Sequence, residues 1–191
     1  MNVGAIPVPV IQIEAENFTA VRDPNNDGDT WQVTSLTGAS NGLGLKAPGG
    51  GRTDIPGATH DAIVEYDVAF HDAGTYHLYV LCRGLTTSSD SMYSPPTLGA
   101  EPSVQENLPT GTAWTWIDMA TYTITADDVN RPLTLQLGKR ENGAEIDMLI
   151  FSPTTLDLAT LATVVPEPSS LGLFVAALPF LRRHRGGTRR R

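Results

Sequence analysis

The sequence predicts an all-β sandwich, and three observations carry that prediction. Apolar side chains recur at every second position in several separate segments, the period of a strand with one face on a core. No stretch ahead of the C-terminal tail sustains a helical apolar period. Gly, Pro and Asn interrupt the pattern at short intervals, as turns between the strands of a sandwich require. About 155 residues ahead of the tail are enough for one domain with an adequate core.

The elements follow in chain order. In IQIEAENF (11–18), Ile11, Ile13 and Ala15 read as facing the core, and Glu14 and Glu16, two residues apart, project together. The run DPNNDGD places Asp23, Asn25, Asp27 and Gly28 at the first positions of a calcium loop, but Thr34 stands where a bidentate Glu belongs, so an Asx and Gly turn competes with an ion site. Val64, Tyr66, Val68 and Phe70 share one strand face. Asp72, Ala73 and Gly74 read as a hairpin turn into a second strand carrying Tyr76, Leu78, Val80 and Cys82. Cys82 is the only cysteine, which excludes an internal disulfide and suits a small buried hydrophobe. Ser94 to Thr112, with four prolines, reads as a long surface loop. Leu133, Leu135 and Leu137, then Ile146, Met148 and Ile150, mark two further strands, and residues 154–165 read as a linker.

Charge is divided along the chain. Residues 1–165 hold 7 Lys and Arg against 20 Asp and Glu, whereas residues 166–191 hold 6 Arg against Glu167, so a body of −13 precedes a tail of +5 within the total of −8. A body this acidic argues against nucleic acid as a partner and suits a protein that holds divalent cations.

The tail reads as a targeting segment. Pro166, Glu167 and Pro168 precede two serines, an apolar run from Leu171 to Leu181, and six arginines. This order resembles the PEP-CTERM sorting signal of Gram-negative bacteria. The resemblance implies recognition by an exosortase-type membrane protease and export of the body to the outer surface or extracellular matrix. As a helix the apolar run is roughly 16 Å long, about half of a bilayer core, which makes a weak and transient membrane anchor. The arginines would stay on the cytoplasmic side. Export also calls for a leader, yet residues 1–10 carry no Lys or Arg before an apolar stretch that Pro7 and Pro9 interrupt, so no signal peptide is legible there.

Three segments of the body carry a second resemblance. IQIEAENF (11–18), DAIVEYDVAFHDAGTYHLYVLCR (61–83) and KRENGAEIDMLIFS (139–152) are similar, in order and spacing, to the carbohydrate-binding modules of families 6 and 35. That similarity covers residues 11–153 and implies a galactose-binding-like jelly roll. It also implies a structural calcium (Ca2+) on Glu14, Glu16 and Asp147. The adjacent like charges of Glu14 and Glu16 would be relieved by such a hard cation with oxygen ligands.

A sugar site needs flat apolar surface and fixed polar groups. Trp31, Tyr93, Trp114 and Trp116 are the available rings. In the resembling modules the first tryptophan of such a pair stacks on sugar and the second packs inside, which assigns Trp114 to ligand and Trp116 to the core. Arg83, Asp90 and Tyr93 lie in or beside RGLTTSSDSMY, a ligand-side loop in some relatives. The sequence departs from the family 6 pattern where a tyrosine usually opposes the tryptophan, at Leu45. It departs again where an asparagine usually precedes Ile-Asp, at Glu145, an acceptor-only carboxylate. Asn142 is the residue able to take over that polar role.

Catalysis finds no equipment in the sequence. The well-placed acids are claimed by the calcium reading, no Ser, His and Asp set stands in a known context, and His60, His71 and His77 lack metal-ligand spacing. The chain therefore reads as a non-enzyme. It is expected to be a surface-displayed module that binds polysaccharide or exopolysaccharide, or else a structural or adhesive matrix protein without a sugar pocket.

Overall fold

A computed structural model describes residues 10–49 and 62–164. The lead-in at residues 1–9, His60, and the sorting segment with Pro166, Glu167 and Pro168 lie outside the described residues.

Eleven strands are described: β1 (Ile11–Glu14), β2 (Ala20–Arg22), β3 (Gln32–Ser35), β4 (Leu43–Lys46), β5 (Ile63–Ala69), β6 (Gly74–Gly84), β7 (Ser91–Ser94), β8 (Val104–Asn107), β9 (Thr115–Ile124), β10 (Pro132–Lys139) and β11 (Ala144–Ser152). A short helix, α1 (Leu158–Val164), follows. One sheet runs β3-β4-β11-β6-β9, with β1 also on β11; the other runs β2-β5-β10-β7-β8. Every strand pair is antiparallel. The two sheets enclose one apolar layer, a β-sandwich as the alternation predicts.

The expected faces hold on β5 and β6; on β11 they do not, because a bulge at Asp147 leaves Ile146 in the central layer and turns Met148 and Ile150 to the outer face. Val64, Tyr66, Val68 and Phe70 meet Leu78, Val80 and Cys82 in the central layer, with Phe70 edge-on to Tyr76 at 4.8 Å and to Phe151 at 5.3 Å. Such pairs add about 0.5–1.5 kcal/mol beyond area burial. Cys82 is fully buried, and desolvation pushes its thiol up to about 12, which keeps it protonated and unreactive.

Three further expectations need correction. Asp72 to Gly74 is no hairpin: β5 and β6 belong to different sheets, so the turn carries the chain across the core and lets Phe70 and Tyr76 meet inside it. A local turn signal does not say whether the flanking strands pair. The segment 94–112 contains β8, which pairs with β7, so the prolines flank a strand instead of filling one loop. Residues 154–164 are docked on the domain: Leu161 is buried with Tyr79, Leu81, Trp116, Met148 and Ile150, Leu156 packs alongside, and Leu156 N–H donates to Tyr79 Oη at 2.8 Å. These residues form a second apolar layer on the outer face of the first sheet. Burying a leucine side chain there contributes about 1.5–3 kcal/mol.

Candidate functional site

Strand alternation and register create the main site. Leu45, Ala144, Ile146 and Cys82 point into the core, so their neighbours Lys46, Glu145 and Arg83 emerge on the outer face of the first sheet. Lys46 pairs with Glu145 across β4 and β11, and Glu145 pairs with Arg83 across β11 and β6, which sets the three side chains in one cross-strand row. Lys46 Nζ lies 3.0 Å from Glu145 Oε1, and Arg83 Nε donates to Glu145 Oε2 at 2.7 Å. Glu145 is 1% exposed, so each of its oxygens gives up water for a cation.

Arg83 also ties two loops together. Its Nη1 donates to Thr37 O at 3.1 Å and Thr112 O at 2.7 Å, and its Cζ stands 4.1 Å from the centroid of the Trp114 ring. Trp114 Nε1 donates to Thr37 O at 3.1 Å. The indole approaches Gly38 closely: a Cβ there would stand 3.3 Å from Trp114 Cδ1, and the backbone holds φ +79°, so glycine suits the position twice over. Around the Arg83–Trp114 stack lies a cleft of about 600 Å³ lined by Thr37, Gly38, Leu85, Thr112 and Ala113.

The structure thus brings Trp114, Arg83 and Glu145 together and separates the other sequence candidates from them. Tyr93 is fully buried in β7 and offers no stacking surface. Trp31 is buried in the central core, whereas Trp116 is buried in the second apolar layer, under Leu161. Asp90 does not line the cleft; it accepts from Thr110 Oγ1 at 3.4 Å, and its backbone N–H donates to Glu141 Oε2. Asn142 does not line it either. Its Oδ1 is buried without a partner in the turn before β11, beside Gly143, where an added Cβ would lie 3.8 Å from Lys46 Cε. Leu45 faces the core, so no side chain at that position could oppose Trp114. Lys46, which sequence reading missed, is what reaches the outer face; the signal was alternation in LGLK.

A second polar site forms on the same strand. β4 leaves β11 at Ile146 and β1 joins it at Met148, on the same side, and the register against β6 shifts between these two residues. Asp147 is the bulged residue at that seam. It is 1% exposed and accepts Ser40 N–H at 3.0 Å. Ser40 Oγ lies 2.9 Å from Asp147 Oδ1 and 2.7 Å from Glu14 Oε2. A hydroxyl has one hydrogen and can donate to one of these oxygens only. Glu16 Oε2 is buried without a partner. Burial, reinforced by the charges of Glu14 and Glu16 and opposed by the Ser40 donors, pushes the Asp147 carboxyl up to about 6.

An orphaned carboxylate oxygen and a surplus of acceptors over donors fit an oxygen-bound cation. The side chains are not gathered into a finished cage, and among the described residues no three acidic, histidine or cysteine side chains stand ready to hold a metal. The loop at Asp23 is closed by its own side chains, with an Asx turn at Asp27, whose Oδ1 accepts Asp29 N–H, and Asp23 capping the loop. The Asp23 carboxylate accepts Asp27 N–H and Gly28 N–H, and Asn25 Nδ2 donates to Asp27 Oδ2.

No family model matches the sequence, and no curated protein matches it. Solved structures do. A family 35 carbohydrate binding module from Clostridium thermocellum is similar with TM-score 0.54 and 12% identity, over 76% of this chain and 99% of that one. The C-terminal CBM6 of LamC, a marine laminarinase from Zobellia galactanivorans, gives 0.53 and 14%, over 75% and 99%. A Podospora anserina GH26-CBM35 β-(1,4)-mannanase gives 0.56 and 11%, over 78% of this chain and 28% of that one. What the chain shares with these proteins at such identities is the fold, a jelly-roll β-sandwich.

Proposed function

We propose that this domain is a non-catalytic glycan-binding module, and that its ligand sits against Trp114 and Arg83 in the outer-face cleft. The observation that carries this reading is the half-buried indole held by Arg83, Gly38 and Thr37 O at the edge of an open cleft. A rigid aromatic surface beside uncommitted donors is what a sugar ring requires. The carbohydrate-binding modules among the similar folds support it. Trp114→Ala is expected to cost about 2 kcal/mol of binding, roughly thirtyfold, on calorimetric titration with polysaccharides that bind the unaltered chain. Equal affinities would move the ligand elsewhere.

In the same reading, calcium on Glu14, Glu16 and Asp147 joins the first strand to the last. The Ser40 hydroxyl is free to turn a lone pair to the ion, which would satisfy the orphaned Glu16 oxygen. The tail sorts the exported protein through the Pro166–Glu167–Pro168 motif to the surface of a Gram-negative cell, a reading that rests on the sequence alone. In a host with exosortase, alanine at those three positions should leave the tail uncut and the protein in the membrane fraction. Unchanged mass and fractionation would end the sorting hypothesis.

One observation favours a structural or adhesive matrix protein instead. Arg83 covers one face of Trp114 and both Trp31 and Tyr93 are buried, so among the described residues no second ring opposes the first. Absence of binding to any polysaccharide would select that reading.

A further inference from the structure

Residues 153–164 lead from the end of β11 onto the outer face of the first sheet, where Leu156 and Leu161 anchor them. Leu156 N–H donates to Tyr79 Oη, and Leu161 is 1% exposed in the layer formed with Tyr79, Leu81, Trp116, Met148 and Ile150. Residues 157–160 and Ala162 are exposed, so Leu161 is the only described side chain of α1 that is buried. Asp157 caps the helix: its Oδ1 accepts Ala159 N–H at 3.3 Å and its Oδ2 accepts Thr160 Oγ1 at 2.8 Å. A helix of seven residues does not persist alone in water. Undocking Leu161 and melting α1 are therefore one event.

That event bears on the tail because the spacing is short. Pro166 stands two residues beyond the end of α1 at Val164, and residues 165–170 are all that separates α1 from the apolar run at Leu171. Even fully extended, those six residues span only about 20 Å. A membrane protease that closes around Pro166–Glu167–Pro168 must take the chain on both sides of the motif in open form. On the near side that chain is α1. Cleavage of a native protein draws on the opened population of the segment concerned, and a docked helix lowers that population.

We infer that α1 is a latch on processing: while Leu161 is docked, the folded body stands too near the sorting motif for a membrane protease to seat it, and cleavage proceeds from the undocked population. This rests on the sorting reading of the tail. The surface that receives Leu161 is assembled from β6, β9 and β11, so the latch exists only once the sandwich has formed. A folded body then stays held at the membrane for as long as Leu161 stays docked.

The test uses the full chain and three substitutions that loosen the latch at separate points without touching the motif: Leu161→Ala, Asp157→Ala and Tyr79→Phe. Two rates are read. In detergent, hydrogen exchange at Leu161 N–H, bonded to Asp157 O at 3.0 Å, reports the opening of α1. In a host with exosortase, pulse-labelled chains report how fast the tail is lost. Leu161→Ala is expected to raise both rates roughly tenfold. Asp157→Ala and Tyr79→Phe should each raise both about three- to fivefold, the effect of one cap or one hydrogen bond. Should Leu161→Ala fail to fold by thermal melt, Asp157→Ala, on an exposed side chain, still decides. Faster exchange with unchanged processing would overturn the latch and leave sorting standing. Exchange that no substitution accelerates would overturn it too. No processing of any chain, the unaltered one included, would overturn the latch and the sorting reading together.

Discussion

Glu145 and Asp147 stand two residues apart on β11, equally buried, in opposite electrical surroundings. Glu145 has a cation on each oxygen. Asp147 has Glu14 and Glu16 for neighbours and only Ser40 as donor, and its carboxyl is held up at about 6. The difference originates in the sheet. At 145, β11 lies between β4 and β6, which bring Lys46 and Arg83 into one row; at 147 a bulge falls where β4 gives way to β1. One carboxylate is compensated within the chain, and the other is left short of positive charge. A buried ion without compensation costs several kcal/mol, so the second site is where an outside cation gains most.

The largest effect should come from breaking the compensated site. Glu145→Ala leaves Arg83 buried and unpaired, and removing one partner of such a pair costs about 3–5 kcal/mol. Denaturant titration should show the midpoint fall sharply with an unchanged slope. A loss under about 1 kcal/mol would mean that water reaches Arg83 and that the row is a surface feature.

Much of the fold was legible in the sequence, and less of the site. Period-two runs at 63–70 and 76–82 located strands and their buried faces because each strand reports its own burial, whereas the run at 146–150 located a strand but not its faces, since the bulge at Asp147 puts Ile146 in the central core and Met148 and Ile150 in the outer layer. Glu14, Glu16 and Asp147 were legible as a set only through a family resemblance; the structure joins Glu14 and Asp147 through the Ser40 hydroxyl and leaves Glu16 Oε2 buried without a partner. Pairing across strands was not legible: the Lys46–Glu145–Arg83 row does not follow from local sequence, since sheet order and register decide it, and local alternation did not report that Tyr93 is buried. The docking of Leu156 and Leu161 was missed for the same reason, because the surface that receives them comes from β6, β9 and β11.

The uncompensated site should respond to pH and calcium in the opposite sense to each other. Asp147 has a folded-state pKa of about 6 against an ordinary 3.8, so the folded state binds this proton more tightly than the unfolded chain. Its stabilising contribution is therefore full below about pH 4, declines as pH rises, and is gone above about pH 6. In chelator, Asp147→Asn should match the unaltered protein near pH 4 and exceed it by on the order of 2 kcal/mol at pH 7. In calcium at pH 7 the order should reverse, because an ion held at a hundred times its dissociation constant adds about 2.7 kcal/mol to the native state that the amide forgoes. Thermal melts in both conditions check this. Identical melts of the unaltered protein with and without calcium would remove the metal from the account.

Ser40→Ala is the finest test of the comparison, because Ser40 is the nearest substitute for a cation that the chain itself provides. The backbone N–H bonds to Asp147 survive the substitution, and only the hydroxyl between Glu14 and Asp147 is lost. A single hydrogen bond to a charged group is worth about 1.5–3 kcal/mol, reduced here because one hydrogen faces two acceptors, so a loss of about 1 kcal/mol is expected in chelator at pH 7. Below about pH 5 the loss should shrink, since a protonated Asp147 leaves the hydroxyl one buried charge to serve instead of two. Calcium should shrink it as well, by taking over the oxygens that the hydroxyl was serving. A loss that stays constant across pH and calcium would assign Ser40 to packing alone, and Asp147 would then differ from Glu145 in its neighbours but not in what it lacks.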